Sequence, residues 1–214
     1  MSSALETETM TEKQKSELWA VPNLLSLSRI VLTPVFLYVM SLRRPWTAFA
    51  VFLVAGTTDA LDGYAARTLR LKTNLGIWLD PLGDKILLTA TFIALSIPAW
   101  SSPNTLPLWL TGICIGRDVL IASGAAVVLA GRGRMTFPPT LLGKIVTICQ
   151  VFVLLAVLLF NGLVASPSWL IWLYRVTAVL TCFSGVQYTA IGIRLLSRKD
   201  RPGSQRNPGN KEQV

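Results

Sequence analysis

The 214-residue sequence contains no histidine, and charged residues make up only 14% of it. Ordinary soluble domains carry roughly 25%. Without histidine there is no imidazole to act as a general base or metal ligand. Cysteine is sparse as well: Cys114, Cys149 and Cys182 lie in separate apolar segments with no C-x-x-C spacing. They read as small packing residues rather than disulfide partners or zinc ligands. These shortages exclude a soluble enzyme, a disordered tail and a secreted disulfide module. Hydrophobic residues, by contrast, reach 52%, in several uncharged stretches near the ~20 residues that a helix needs to cross a bilayer. The chain therefore reads as an all-α, polytopic integral membrane protein.

Six membrane helices are expected, at about Leu24–Leu42, Trp46–Leu69, Leu75–Ala99, Pro107–Ala130, Thr140–Phe160 and Trp169–Ser197. Breakers separate them: Arg43-Arg44-Pro45, Ser101-Ser102-Pro103-Asn104, Asn161-Gly162 and Ser166-Pro167-Ser168. Residues 1–20 form an N-terminal segment expected to be mobile, with a short interfacial helix around Ser16–Leu25. Residues 21–198 form the membrane domain and residues 199–214 a polar basic tail. The net charge of +9 does not point to nucleic acid, because the basic residues border apolar segments. Lys13, Lys15, Arg67, Arg70, Lys72, Arg132, Arg134, Lys144 and Arg198 share the side of the termini, and Arg43 and Arg44 lie opposite. The positive-inside bias puts both termini, and the loops after the second and fourth helices, in the cytoplasm.

Acidic residues are scarcer still inside the membrane domain. Between Leu18 and Lys199 there are five: Asp59, Asp62, Asp80, Asp84 and Asp118. Four of them fall within 26 residues, at the cytoplasmic ends of the second and third helices. Spacings of three and four put each pair on one helix face, and the short intervening turn is expected to oppose the two faces. Gathering ionised carboxylates near a bilayer is costly unless a counter-charge cancels them. Two divalent cations would do so. Hard oxygen donors without His or Cys favour Mg²⁺ or Mn²⁺, and a carboxylate-held metal pair suits phosphoryl or phosphatidyl transfer.

The stretch Asp59-Ala60-Leu61-Asp62-Gly63-Tyr64-Ala65-Ala66-Arg67, followed by Gly76, Asp80 and Asp84, resembles the signature of the CDP-alcohol phosphatidyltransferase family, D-x2-D-G-x2-A-R-x8-G-x3-D-x3-D. Every fixed position is present. The resemblance extends over about residues 20–198 and implies roles residue by residue. Asp59 and Asp80 would bridge both metals, Asp62 would hold the first, and Asp84 the second while taking the proton of the acceptor hydroxyl. Gly63 would admit the cytidine end, Arg67 would pair with the nucleotide phosphates, and Thr73 would hydrogen-bond the nucleotide. Pro22, Asn23, Leu24, Leu25 and Arg29 would lie near the donor phosphates. The implied donor is CDP-diacylglycerol, meeting its acceptor at the cytoplasmic boundary among membrane lipids, in a homodimeric protein.

An acceptor bearing phosphate needs cations, and Lys144, Arg117, Arg132 and Arg134 are the candidates. Arg117 is equally open to a structural ion pair. Lys85 is expected to face headgroups and Arg175 to reach outward. Pro22–Pro34 and Asp80-Pro81-Leu82-Gly83-Asp84-Lys85 resemble the phosphatidylglycerophosphate synthase and cardiolipin synthase branches, although those commonly carry Ala at the position of Gly83. Glycerol 3-phosphate is the favoured acceptor, with phosphatidylglycerol, the substrate of a cardiolipin synthase, as the alternative. A cation transporter using the carboxylates is a reading from another class. It would string acidic groups along the whole membrane depth, whereas here Asp118 is the lone deep one.

Overall fold

The computed structural model describes the backbone of residues 21–69, 76–132 and 140–197, and the side chains of residues 30–58, 85–127 and 140–194. Among the described residues the structure is all helical: α1 (Val21–Ser41), α2 (Pro45–Leu69), α3 (Gly76–Ser96), α4 (Leu108–Arg132), α5 (Leu141–Gly162) and α6 (Leu170–Ser197). The six expected helices are all present, and most ends fall within one to three residues of their expected positions. Of the expected interfacial helix around Ser16–Leu25, residues 21–25 belong to α1, and the remainder, like the tail, lies outside the described residues.

Three segments are long and apolar enough by themselves to cross a membrane: Leu108–Val127, Leu141–Gly162 and Leu170–Arg194. The described parts of α1, α2 and α3 contribute the shorter apolar stretches Ile30–Ser41, Pro45–Thr58 and Lys85–Ser96. Many large apolar side chains point outward, among them Val54, Ile148, Phe152, Phe183 and Val186. In water such a surface would be a liability; against lipid tails it is the expected solvent-facing coat. The protein is an integral membrane protein.

The helix α5 is the most buried element because its sequence supplies a core stripe at helical spacing. Val146, Gln150, Val153, Leu154, Val157, Leu158 and Asn161 are buried along it. It packs against α2, α3 and α6, while α1 packs extensively against both α2 and α3, and α4 against α6. The core joins Phe36 and Met40 of α1, Phe52 of α2, Phe92 and Leu95 of α3, and Leu110 of α4 to that stripe. Thus, among the described residues, α1 packs against both helices that carry the aspartate signature, while the faces expected to oppose each other lie outside the described side chains.

Two helix ends are closed the same way. After α5, the Val164 N–H donates to Asn161 O at 3.3 Å and the Ala165 N–H to Phe160 O at 3.0 Å. After α1, the Arg43 N–H donates to Met40 O at 3.0 Å and the Arg44 N–H to Val39 O at 3.4 Å. Both are Schellman caps, whose turning residue takes a left-handed conformation usually given to glycine. Here Arg43 (φ 54°) and Val164 (φ 53°) fill it. Gly162 does not turn the chain; it makes room for the Trp46 ring, whose carbons would lie 2.9 Å from an added Cβ. Asn161 clamps the breaker loop to this end, accepting from the Asn104 backbone N–H at 2.7 Å and donating to Ser101 Oγ at 2.8 Å.

Candidate active site

Helix α2 is continuous through Asp59, Asp62, Gly63 and Arg67, and α3 through Asp80 and Asp84. The two aspartate pairs therefore sit on helical backbone, each within about one turn. Their side chains, with those of Gly63 and Arg67, lie outside the described residues, as do those of Pro22, Asn23, Leu24, Leu25 and Arg29 on α1. Thr73 and Arg134 fall in undescribed segments, and Arg132 is described only as the last residue of α4. Among the described residues no group of three or more His, Cys, Asp or Glu side chains could hold a metal, which leaves the signature aspartates as the donor set to weigh. Four carboxylates without nitrogen or sulfur suit a hard divalent cation.

Beyond the signature, the side chains converge. Lys85 follows Asp84 directly, and its Nζ lies 2.9 Å from Asp118 Oδ1 on α4. Lys85 thus makes a cross-helix ion pair instead of simply facing headgroups. The same oxygen accepts from Arg117 Nη1 at 2.7 Å. Neighbours on a helix diverge by ~100°, so this contact depends on the length of the arginine side chain curling back. Arg117 also donates to Ser184 Oγ on α6, from Nη2 at 3.0 Å and Nε at 3.3 Å. Its side chain is only 8% exposed. An unpaired cation at such a place in a membrane helix would be strongly unfavourable.

Tyr188, one turn beyond Ser184 on α6, extends the cluster. The Arg117 guanidinium carbon lies 5.5 Å from the centre of its ring, within cation–π range. The Tyr188 hydroxyl accepts from the Thr140 backbone N–H at 3.2 Å. Thr140 caps α5, its Oγ1 accepting from the Gly143 N–H at 3.1 Å. Gly143 must lack a side chain here, since an added Cβ would come within 2.6 Å of the Tyr188 hydroxyl. Lys144 follows on an exposed position. The structure therefore brings Arg117 and the Lys144-bearing end of α5 to two sides of one tyrosine.

The contacts of Ser184 and Tyr188 with Arg117, and of Lys85 with Asp118, were not legible in the sequence. Serine and tyrosine four apart on an apolar helix resemble ordinary packing, and only the neighbouring Arg117 reveals their use. Arg175 is exposed and stacks over Trp172 at 5.2 Å, in keeping with an outward reach. Cys114 is buried, Cys149 half-buried and Cys182 exposed, none in a disulfide.

A family model described as CDP-alcohol phosphatidyltransferase matches residues 19–183. The chain is 35% identical over 186 residues to the CDP-diacylglycerol–glycerol-3-phosphate 3-phosphatidyltransferase of Bacillus subtilis (strain 168), covering 78% of this chain and 92% of that one. It is 33% identical over 171 residues to the Escherichia coli (strain K12) protein of the same name, with the same coverages of 78% and 92%. The cardiolipin synthase (CMP-forming) of Rattus norvegicus is 39% identical over 132 residues, but these span 61% of this chain and 41% of the rat protein.

Proposed function

The chain belongs to the CDP-alcohol phosphatidyltransferase family, and on that premise we propose that it transfers the phosphatidyl group of CDP-diacylglycerol to a hydroxyl of glycerol 3-phosphate. The products are phosphatidylglycerophosphate and CMP, in phospholipid biosynthesis. The observation that carries the choice of acceptor is coverage: the bacterial relatives named for glycerol 3-phosphate match over nearly their whole length, and the cardiolipin synthase over less than half of its own.

Asp59, Asp62, Asp80 and Asp84 hold two divalent cations, Mg²⁺ or Mn²⁺, in this reading. When bound, the cations supply positive charge against the phosphates of donor and leaving group. The chain's own residues do the rest. Arg67 pairs with the donor phosphates through its guanidinium fork, and Gly63 leaves space for the cytidine end. Asp84 accepts the proton of the acceptor hydroxyl as its oxygen attacks the phosphorus bearing the diacylglycerol. A new P–O bond forms to the acceptor, the P–O bond to CMP breaks, and CMP departs with the electron pair. Arg117, stacked on Tyr188, and Lys144, exposed on the end of α5 that the Tyr188 hydroxyl contacts, bind the acceptor phosphate. The charge pattern supports a cytoplasmic position for the site and both termini, with all six helices crossing the membrane.

The test is product identification. Purified protein is incubated with CDP-diacylglycerol and Mg²⁺ or Mn²⁺, with glycerol 3-phosphate or phosphatidylglycerol supplied separately, and the lipids are resolved by mass spectrometry. Phosphatidylglycerophosphate from the first acceptor and no cardiolipin from the second is the expected result. Cardiolipin as the sole product would overturn the proposal.

A further inference from the structure

Resting on glycerol 3-phosphate as the acceptor, we propose that Asp118 is a positioning residue that holds Lys85 and Arg117 together as a two-cation cradle for a phosphomonoester. Lys85 then joins Arg117 and Lys144 in the acceptor site as a third phosphate ligand. One oxygen, Asp118 Oδ1, accepts from Lys85 Nζ at 2.9 Å and from Arg117 Nη1 at 2.7 Å. The two cations come from different helices, α3 and α4, and would repel each other without the carboxylate between them.

Charge and donor count both indicate an anionic ligand. One carboxylate faces two cations, so a positive charge is left over among the described residues, in a segment of the protein set within the membrane. Unmatched charge there is unfavourable and is relieved when an anion arrives. Hydrogen-bond capacity remains as well. The guanidinium carries five N–H donors and the ammonium three, while the described contacts use three of the former and one of the latter. The spare donors suit an acceptor group with several oxygens and more than one negative charge. A phosphomonoester dianion fits that description better than the monoanionic diester of a phospholipid headgroup.

Placement links the cradle to the chemistry. Lys85 is the residue after Asp84, so the cradle includes a side chain of the same helix, α3, that carries the proposed base. Asp118 touches neither substrate; it acts by fixing where the two cations point. Tyr188 and Ser184 hold the far side of Arg117, which leaves Asp118 to set the near side.

The test is a kinetic comparison of purified full-length wild type, Asp118→Asn, Asp118→Glu and Lys85→Gln, with each substrate varied in turn. Asp118→Asn and Lys85→Gln are each expected to raise KM for glycerol 3-phosphate about tenfold, equivalent to one lost charge-assisted contact. KM for CDP-diacylglycerol should stay within about twofold, with kcat similarly little changed, because the donor site is separate. Asp118→Glu keeps the carboxylate and should recover much of the acceptor affinity. A purely structural role would instead lower thermal stability and shift both KM values and kcat together, in Asp118→Asn and Asp118→Glu alike. That pattern, or an unchanged acceptor KM in Lys85→Gln, overturns the proposal. Lys85 is 41% exposed, so its variant remains informative if Asp118→Asn fails to fold. Failure of the acceptor assignment shows separately, as a wild type that makes no phosphatidylglycerophosphate, and this inference falls with it.

Discussion

Single side chains carry more than one task in this protein. Tyr188 stacks on Arg117, accepts from the α5 cap at Thr140 and occupies the space left by Gly143. Asp84 is proposed to do two things, to hold a metal and to accept the proton of the acceptor hydroxyl, in a protein without histidine. Asp84→Asn keeps the shape and removes the base and one metal-directed charge. CMP release from CDP-diacylglycerol should fall by at least ~10²-fold, with helical content unchanged by circular dichroism. Wild-type-like turnover would remove Asp84 from its role. A different kind of residue effect is expected at Val164. Its φ of 53° is unfavourable for a β-branched residue, and its side chain is 79% exposed, so little packing is lost on truncation. Val164→Gly should stabilise the protein by about 1 kcal/mol, read as a higher thermal midpoint in detergent with activity unchanged.

At the scale of helices, small residues decide how closely elements approach. Gly162 on α5 faces the ring of Trp46 at the start of α2, with less than van der Waals room for a methyl group. Trp46 is about half exposed, so its ring can yield in part. Gly162→Ala should therefore cost about 1 kcal/mol, the low end for overpacking, measured as a lower thermal midpoint. Helix existence and extent were legible in the sequence because a bilayer-crossing helix is a long apolar run between breakers. The aspartate signature was legible for a related reason: carboxylates are so disfavoured near a membrane that four together are conspicuous. The Schellman caps at Arg43 and Val164 were not, since both lack the glycine that usually marks the turn. The Lys85–Asp118 pair was hidden too. Thirty-three positions separate the two residues, and only the placement of α4 against α3 brings them within 2.9 Å.

Across the whole molecule, a lipid donor and a water-borne acceptor are proposed to meet at one face. The outward apolar coat faces the bilayer, while the signature aspartates lie towards the C-terminal end of α2 and in the N-terminal part of α3, next in sequence to the basic residues Arg67, Arg70 and Lys72. A diacylglycerol-bearing donor can arrive laterally and a small polar phosphate from the aqueous side. Arg117, Asp118 and Lys85 tie α3, α4 and α6 to one another. Turnover is proposed to depend on divalent cations bound by oxygen donors alone. The decisive measurement is CMP release by the purified full chain with CDP-diacylglycerol and glycerol 3-phosphate, before chelation, after it, and after cation is restored. Release should stop with chelator and return with Mg²⁺ or Mn²⁺, in step with the lipid product. Release that continues at the same rate in chelator would contradict the account.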